Sequence, residues 1–370
     1  MSSLKDPIFI TSDPNQIVSD LIAFYETETG LSVSPAQAER LLINVLAYRE
    51  SLLRSGINEA AKQNLVAFAT GVILDYLAQL VGVRRLDEQP ADTTVQFQLV
   101  TGHGNVVIPK GTRVASQDGA VVFYTLSATS VASGVDEVDV LCRCETPGVI
   151  GNGYIAGTVN IILDPQAYLS SAENISTTTG GVDVETDEQL RLRIYMAPEQ
   201  YSTAGSTGAY RFFAMSANQA IIDAEVVSSA PGVVDVYPLT LDSGGTPSEI
   251  LNEVAAILSD EKVRPLNDLV NVISPAAQDY TINVQLELFD TADQVETLQL
   301  AQAAGQTFVD VRRSKLGRDV IIDQLKAVLV IPGAVYKANV IAPAADIVLD
   351  KTKYANCTSI SITVSGLNNG

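Results

Sequence analysis

The sequence predicts an α+β multidomain protein with an N-terminal helical region, a central all-β domain and two C-terminal α+β domains. Three observations carry that expectation. Apolar residues recur at helical spacing from Pro14 to Leu86, the period drops to two after Gln89-Pro90, and from Gly180 onward helical and strand patterns mix. The corresponding divisions are residues 1–90, 91–180, 181–278 and 279–370. With 370 residues, 46% of them apolar, the chain has material for several cores.

In the helical region, Ser34-Pro35 has the pattern of an N-cap followed by proline in the first turn. Ala38, Leu41, Leu42, Val45, Leu46, Leu52 and Leu53 then fall close to one helical face. A second helical run carries Leu65, Val66, Phe68, Ala69, Val72, Ile73, Leu77 and Leu80 and ends at Gly82, a position suited to a C-cap. So thin a hairpin or bundle cannot bury all of its apolar surface alone. Leu41, Leu42, Val45, Leu46, Leu53 and Leu77 are therefore candidate contacts for partner helices, against the alternative of a self-contained three-helix packing.

Residues 94–99, Thr-Val-Gln-Phe-Gln-Leu, alternate without a break, the mark of a strand with one wet face. Further strands are expected over 106–108, 121–126, 135–144 and 158–163, separated by Gly, Asp, Asn and Pro turns. Cys142 and Cys144 lie two apart in one of them and share a face. With Cys357 they make an odd, sparse set, suggesting reduced structural thiols and no disulfide framework.

Beyond residue 200, helices are expected over 208–219, 248–260, 292–313 and 320–329, and strands over 224–229, 233–239, 280–289, 334–341 and 359–364. The helix at 208–219 precedes two strands with Pro231-Gly232 between them, and the helix at 320–329 precedes Pro332-Gly333 and two strands, which suggests an approximate internal repeat of antiparallel sheets backed by helices.

The joint between the β-rich and mixed regions is Gly180-Gly181-Val182-Asp183-Val184-Glu185-Thr186-Asp187-Glu188-Gln189-Leu190-Arg191-Leu192-Arg193-Ile194. Thr186 and Gln189 fit a capping box, and Asp187 and Glu188 would answer the positive end of the helix that follows. Leu190 and Ile194 share one face, while Arg191 and Arg193 are expected to project away from it and to offer contacts to a neighbouring subunit. Gly180 and Gly181 are expected to act as a hinge, with a second bending point near Pro275.

Chemistry is sparse. A net charge of −20 repels phosphate backbones, and the one basic cluster, Arg312 to Arg318, fits a solvated helix end, so no nucleic-acid partner is expected. The N-terminus lacks a signal-peptide pattern and no apolar run is long enough to span a bilayer, so no membrane insertion is expected. Asp242-Ser243-Gly244-Gly245 has the look of a protease nucleophile segment with His103 upstream, but neither residue has the required surroundings. Gly151-Asn152-Gly153 with Gly157 is only superficially a dinucleotide loop, because a strand pattern follows it. No catalytic, cofactor-binding or metal-binding residue is expected.

The joint also carries a resemblance. A double glycine, an acidic spacer ending in Thr186-Asp187-Glu188, and then Leu190-Arg191 with Arg193-Ile194 resembles the signature of the baseplate J-like family, the baseplate wedge proteins of contractile phage tails and related injection machines. Ile108-Pro109-Lys110-Gly111-Thr112-Arg113-Val114 is similar to its IPxGTxV turn, and Gly148-Val149-Ile150-Gly151-Asn152 with Ala156-Gly157-Thr158-Val159 to its GxxGN and AGT elements. Tyr210 to Ala217, Pro231 to Val236 and Val263-Arg264-Pro265-Leu266 resemble later landmarks. Tyr48-Arg49-Glu50, Asn58 to Ala61 and Leu74 to Ala78 look like the N-terminal helices of members from P2-like phages. The resemblance covers residues 40 to 345 in order.

It implies a non-enzymatic structural component of a virion tail baseplate, assembled in the host bacterial cytoplasm. It further implies pairing with another copy within each wedge and with a smaller wedge subunit, and a six-fold ring around the central hub or spike. Contact with the sheath-initiating wedge protein, and ring opening coupled to sheath contraction, are part of the same implication. The alternative is a carbohydrate-binding or adhesive tail protein. That reading calls for exposed aromatic platforms, whereas the chain has no Trp and 6% aromatics.

Overall fold

The computed structural model describes residues 5–202, 205–241, 245–260 and 263–369. The chain divides into two compact units, one holding Met1–Arg85 with the remote segment Leu190–Tyr195, the other Leu86–Gln189 with Met196–Gly370. Each unit has its own logic.

The first unit contains α1 (Pro14–Thr29), α2 (Ala38–Lys62) and α3 (Gly71–Gln79). Asp13 caps α1, its carboxylate accepting from the Asn15 N–H at 2.9 Å. The second helix starts later than Ser34-Pro35 suggested. Pro35 instead sits in a turn in which the Gln37 N–H reaches Ser34 O at 3.1 Å and the Ser34 N–H reaches Gln37 Oε1 at 2.7 Å. The expected helical run from Leu65 is likewise interrupted. After Lys62 the chain turns through residues 63–70, where Gln63 Oε1 accepts the Thr70 N–H at 3.0 Å, and becomes helical again only at Gly71. At the far end of α3, Val83 N–H bonds Ala78 O at 3.0 Å and Gly82 N–H bonds Gln79 O at 3.1 Å, a Schellman closure that needs the positive φ of 74° at Gly82.

The second unit begins with β1 (Asp92–Leu99), β2 (Val106–Ile108), β3 (Arg113–Ser116), β4 (Val122–Thr125), β5 (Thr129–Val131), β6 (Glu137–Cys144), β7 (Val159–Ile162) and β8 (Leu169–Asn174). Six of these form one antiparallel sheet in the order β7-β3-β4-β6-β1-β8, and β2 pairs with β5 separately. The period-two pattern of β1 turns Val95, Phe97 and Leu99 inward, where they pack with Val114, Phe123 and Cys142. The outer strands curl towards each other at Asn174, so the sheet becomes a nearly closed barrel. Gly157 N–H bonds Asn174 O at 2.7 Å and Val159 N–H bonds its Oδ1 at 2.8 Å, while its buried Nδ2 donates to the carbonyls of Tyr154, Ile155 and Ser176.

Next come α4 (Asp187–Met196), whose residues Leu190–Tyr195 group with the first unit, then α5 (Thr207–Ala217), β9 (Asp223–Ala230), β10 (Val233–Leu239), α6 (Ser248–Leu258) and β11 (Leu269–Val272). The chain ends with β12 (Ala276–Phe289), α7 (Gln294–Arg313), α8 (Ile322–Leu329), β13 (Val335–Ala342) and β14 (Lys353–Asn368). These strands form two three-stranded sheets, β11-β10-β9 and β13-β12-β14.

Neither sheet is antiparallel throughout, as the sequence had suggested. Each central strand has one antiparallel and one parallel neighbour: β10 lies parallel to β11 and β12 parallel to β14. A helical connection such as α6 allows a strand to return in the same direction, which a tight turn cannot. The two Pro-Gly turns lie where the sequence placed them, Pro231-Gly232 joining two strands and Pro332-Gly333 joining a helix to a strand.

The last sheet is covered by α7 and α8, burying Val284, Leu286, Leu288, Ala301, Leu325 and Leu329 fully. Around Pro275 the two mixed sheets are tied by more than the chain. Leu239, Leu316 and Tyr354 form a small core, and Leu316 N–H bonds Asp223 Oδ2 at 3.0 Å.

Candidate assembly surface

The face that α2 packs is its small and polar one. Ile43, Ala47, Ser51 and Asn58 are buried. Asn58 Oδ1 accepts the N–H groups of Phe9 and Ile10 at 3.0 Å each, and its Nδ2 donates to Ile10 O at 2.8 Å. Ser51 Oγ donates to Ser12 O at 2.8 Å, and Arg54 donates to Thr11 O at 3.0 Å and to Glu50. The segment at residues 9–12 is thus laced to one side of the helix, which gives partners to five of its backbone groups and leaves the other side open.

The large apolar residues occupy that other side. Leu41 and Leu42 are 66% exposed, Val45 and Leu46 60%, and Leu53 64%. At 3.6 residues per turn they lie opposite the Ile43, Ala47, Ser51 and Asn58 row. Leu42, Val45 and Leu52 also follow the alternating three- and four-residue spacing of a helix seam, with Arg49 between them. Leu77 is half-buried on α3, between the buried Leu74 and Ala78. Tyr48, Leu52 and Ile57 extend the same exposed face of α2, and the helical spacing that identified Leu41 to Leu53 carries them too.

Arg191 and Arg193 do not project outward. They are 9% and 6% exposed. Arg191 donates from Nε to Val66 O and from Nη2 to Ala69 O, both at 2.8 Å, and Arg193 donates from Nη1 to Arg84 O at 3.1 Å. They flank the Leu190 and Ile194 seam, and their long side chains reach past it to carbonyls that irregular backbone at 63–70 and after α3 leaves without helical partners. The capping box forms as the sequence indicates: Thr186 N–H bonds Gln189 Oε1 at 3.1 Å and Gln189 N–H bonds Thr186 Oγ1 at 3.4 Å.

The two glycines also have a different reason from the one the sequence suggested. Gly181 N–H and O both bond the Asn152 side chain, at 2.8 and 2.7 Å, and a Cβ there would lie 2.4 Å from Gly148 O. Gly180 adopts φ 88° in open space, with strand-like bridges Asp92 to Thr179 before the pair and Gln89 to Val182 after it. Close approach and a left-handed turn require glycine here, and the joint is bolted on both sides.

The remaining candidates are structural. His103 sits between two carbonyls, Nδ1 at 2.6 Å from Gly104 O and Nε2 at 2.9 Å from Val135 O, which raises its pKa above the ordinary value. Ser243 lies outside the described residues. Cys142 and Cys144 face the barrel interior, and burial pushes the Cys142 thiol up to about 12. After Gly157 the chain enters β7 rather than a helix. Among the described residues no cluster of three metal-ligating side chains occurs, and no helix is long and apolar enough to cross a membrane.

Models of four domains match the chain in order: the Baseplate J-like N-terminal domain over 40–92, the Baseplate J-like protein barrel domain over 94–181, the Baseplate J-like central domain over 202–274 and the Baseplate J-like protein C-terminal domain over 280–363. Baseplate protein J of Escherichia phage P2 is 34% identical over 184 residues, 50% of this chain and 60% of that protein. Mu-like prophage FluMu protein gp47 of Haemophilus influenzae is 29% identical over 131 residues, 35% of this chain and 36% of that protein. The chain thus spans three fifths or less of the length of these relatives. Among solved structures, a cryo-EM structure of the anti-feeding prophage baseplate matches with a TM-score of 0.45 at 14% identity, over 92% of this chain and 90% of that one.

Proposed function

The chain belongs to the baseplate J-like family, and from that premise we propose that it is a non-enzymatic wedge component of a contractile tail baseplate. The observation that carries the proposal is the exposed apolar face of α2. Leu41, Leu42, Val45, Leu46 and Leu53, each at least 60% exposed, form a stripe that a soluble helix would ordinarily turn inward. The proposed occupants are helices of a second copy and of a smaller wedge subunit, with Leu77 at the edge of the contact.

In this reading the mixed sheets of the second unit supply contacts around a six-fold ring, near a central hub or spike. The ring meets the sheath-initiating wedge protein, and its opening accompanies sheath contraction. The site of action is the tail baseplate of a virion, with assembly in the host cytoplasm. Arg191 and Arg193 are left out of the proposed contact, because their guanidinium groups are spent on Val66, Ala69 and Arg84.

Co-expression with the other tail proteins encoded alongside it, followed by size-exclusion chromatography with mass measurement, tests the proposal. A stable complex containing two copies and a smaller subunit is expected. A monomer that ignores every tail protein would remove the wedge reading.

A further inference from the structure

β14 is an edge strand. It pairs with β12 on one side and, among the described residues, with no strand on the other. The strand is 16 residues long, and the sequence from Tyr354 to the end contains no charged residue. Between two irregularities the run Ser359 to Val364 keeps unbroken register with Thr281 to Leu286. Long edges are commonly guarded by lysine, proline or a bulge inside the run, and this run has none.

Beside it lies a groove of ≈ 510 Å³ between the strand and the first half of α7, lined by Val295, Leu298, Gln299 and Gln302 of the helix and by Ile362 and Val364 of the strand. Further along the helix, at Gly305, a Cβ would lie 2.8 Å from Ile362 Cδ1.

We infer that this groove accepts an added β-strand from a partner protein: an extended segment without acidic residues, apolar at alternate positions. An unpaired strand edge presents alternating N–H and C=O groups that only another extended backbone matches in spacing. One side of the added strand would meet Val295 and Leu298, and the other would continue the exposed row of Ser359 and Ser361. The lining is uncharged in a chain of net charge −20, so the surrounding field works against an acidic segment.

A second copy is a poor occupant. The two-fold axis that pairs β14 antiparallel with itself places both α7 helices on one face, above strands about 4.8 Å apart. Packed helices need roughly 8–10 Å. The inference is independent of what α2 binds.

The test titrates the full chain with a synthetic peptide of alternating valine and threonine, flanked by lysines, and reads amide hydrogen exchange across Ser359 to Val364. The peptide is expected to bind and to slow exchange at alternate residues of that run. A peptide N-methylated at alternate residues should bind about tenfold more weakly or worse, having lost backbone donors on one edge. Val295→Glu, at a side chain 68% exposed, should weaken the unmodified peptide while leaving the melting temperature unchanged. Absence of binding, equal binding of the N-methylated peptide, or binding without protection of Ser359 to Val364 overturns the inference. Protection that grows with the protein's own concentration, in the absence of peptide, overturns the choice of occupant.

Discussion

Replacing Leu42 and Leu46 together by aspartate separates assembly from folding. Full burial of a leucine side chain is worth about 1.5–3 kcal/mol. With 66% and 60% of these two residues exposed, about 1–2 kcal/mol each is still to be gained at an interface. The double variant loses about 2–4 kcal/mol of that gain and adds the cost of desolvating two carboxylates, so partner affinity should fall about 100-fold or more. The isolated chain should hardly notice. Neither side chain is packed, and aspartate in an exposed helix position costs about half a kcal/mol each. Size-exclusion chromatography with mass measurement reads the first effect on the co-expressed complex, and thermal unfolding of the purified variant reads the second. A complex of wild-type mass and stability would refute the assignment of this face to assembly. A large drop in the melting temperature of the isolated chain would show instead that the face is packed within the molecule.

Three further outcomes follow from named contacts. Arg191→Leu leaves the carbonyls of Val66 and Ala69 without these bonds, at about 1.5–3 kcal/mol for each charge-assisted bond, and hydrogen exchange at the Phe68 and Ala69 amides should accelerate by about two to four powers of ten; unchanged exchange would mean the arginine is ornamental. Gly181→Ala should lower thermal stability more than Gly180→Ala, because the first drives a methyl group against Gly148 O whereas the second costs only about 1–2 kcal/mol of left-handed backbone; equal tolerance would restore a flexible hinge. His103, whose two ring nitrogens face carbonyls, should titrate by NMR above the ordinary histidine value. Because its folded pKa is raised, its contribution to stability is complete below the unfolded pKa and is lost as pH rises through the folded one, and a titration at or below 6.5 would contradict this.

Local pattern made much of the fold legible. β1 alternates as Thr94 to Leu99 indicated, β2 and β10 occupy the residues expected of them, and the capping box at Thr186 and Gln189 starts α4. Short-range chemistry specifies such features, since a period of two or a hydroxyl three residues before an amide needs no distant partner. The sequence pattern does not mark β3, β5, β8 or β11. Arg113–Ser116 and Thr129–Val131 are too short to display a period, and Leu169–Asn174 alternates mostly among small polar residues. The parallel pairings of β11 and β14 were hidden for another reason: strand direction depends on what the connecting helices allow, and the residues of the strand do not record it.

The candidate site shows where that limit bites. Periodicity in α2 establishes that Leu41, Leu42, Val45, Leu46 and Leu53 share a face, and they do. It cannot say whether the face points in or out, because that is decided by whatever reaches the helix from elsewhere in the chain. Here residues 9–12 bond to Asn58, Ser51 and Arg54, which occupies the polar side and leaves the leucines in solvent. The arginines of α4 show the converse. Charge suggested a wet face, yet the unpaired carbonyls of Val66, Ala69 and Arg84, more than 100 positions away in sequence, draw both guanidinium groups inside. In both helices, residues that satisfy remote backbone groups are buried alongside the apolar ones, Ser51 and Asn58 beside Ile43 and Ala47, and Arg191 and Arg193 beside Leu190 and Ile194. The unit leaves apolar side chains exposed on each of its helices, and the longest row of them lies along one side of α2. A protein that folds alone and then assembles would carry its unburied surface in that place.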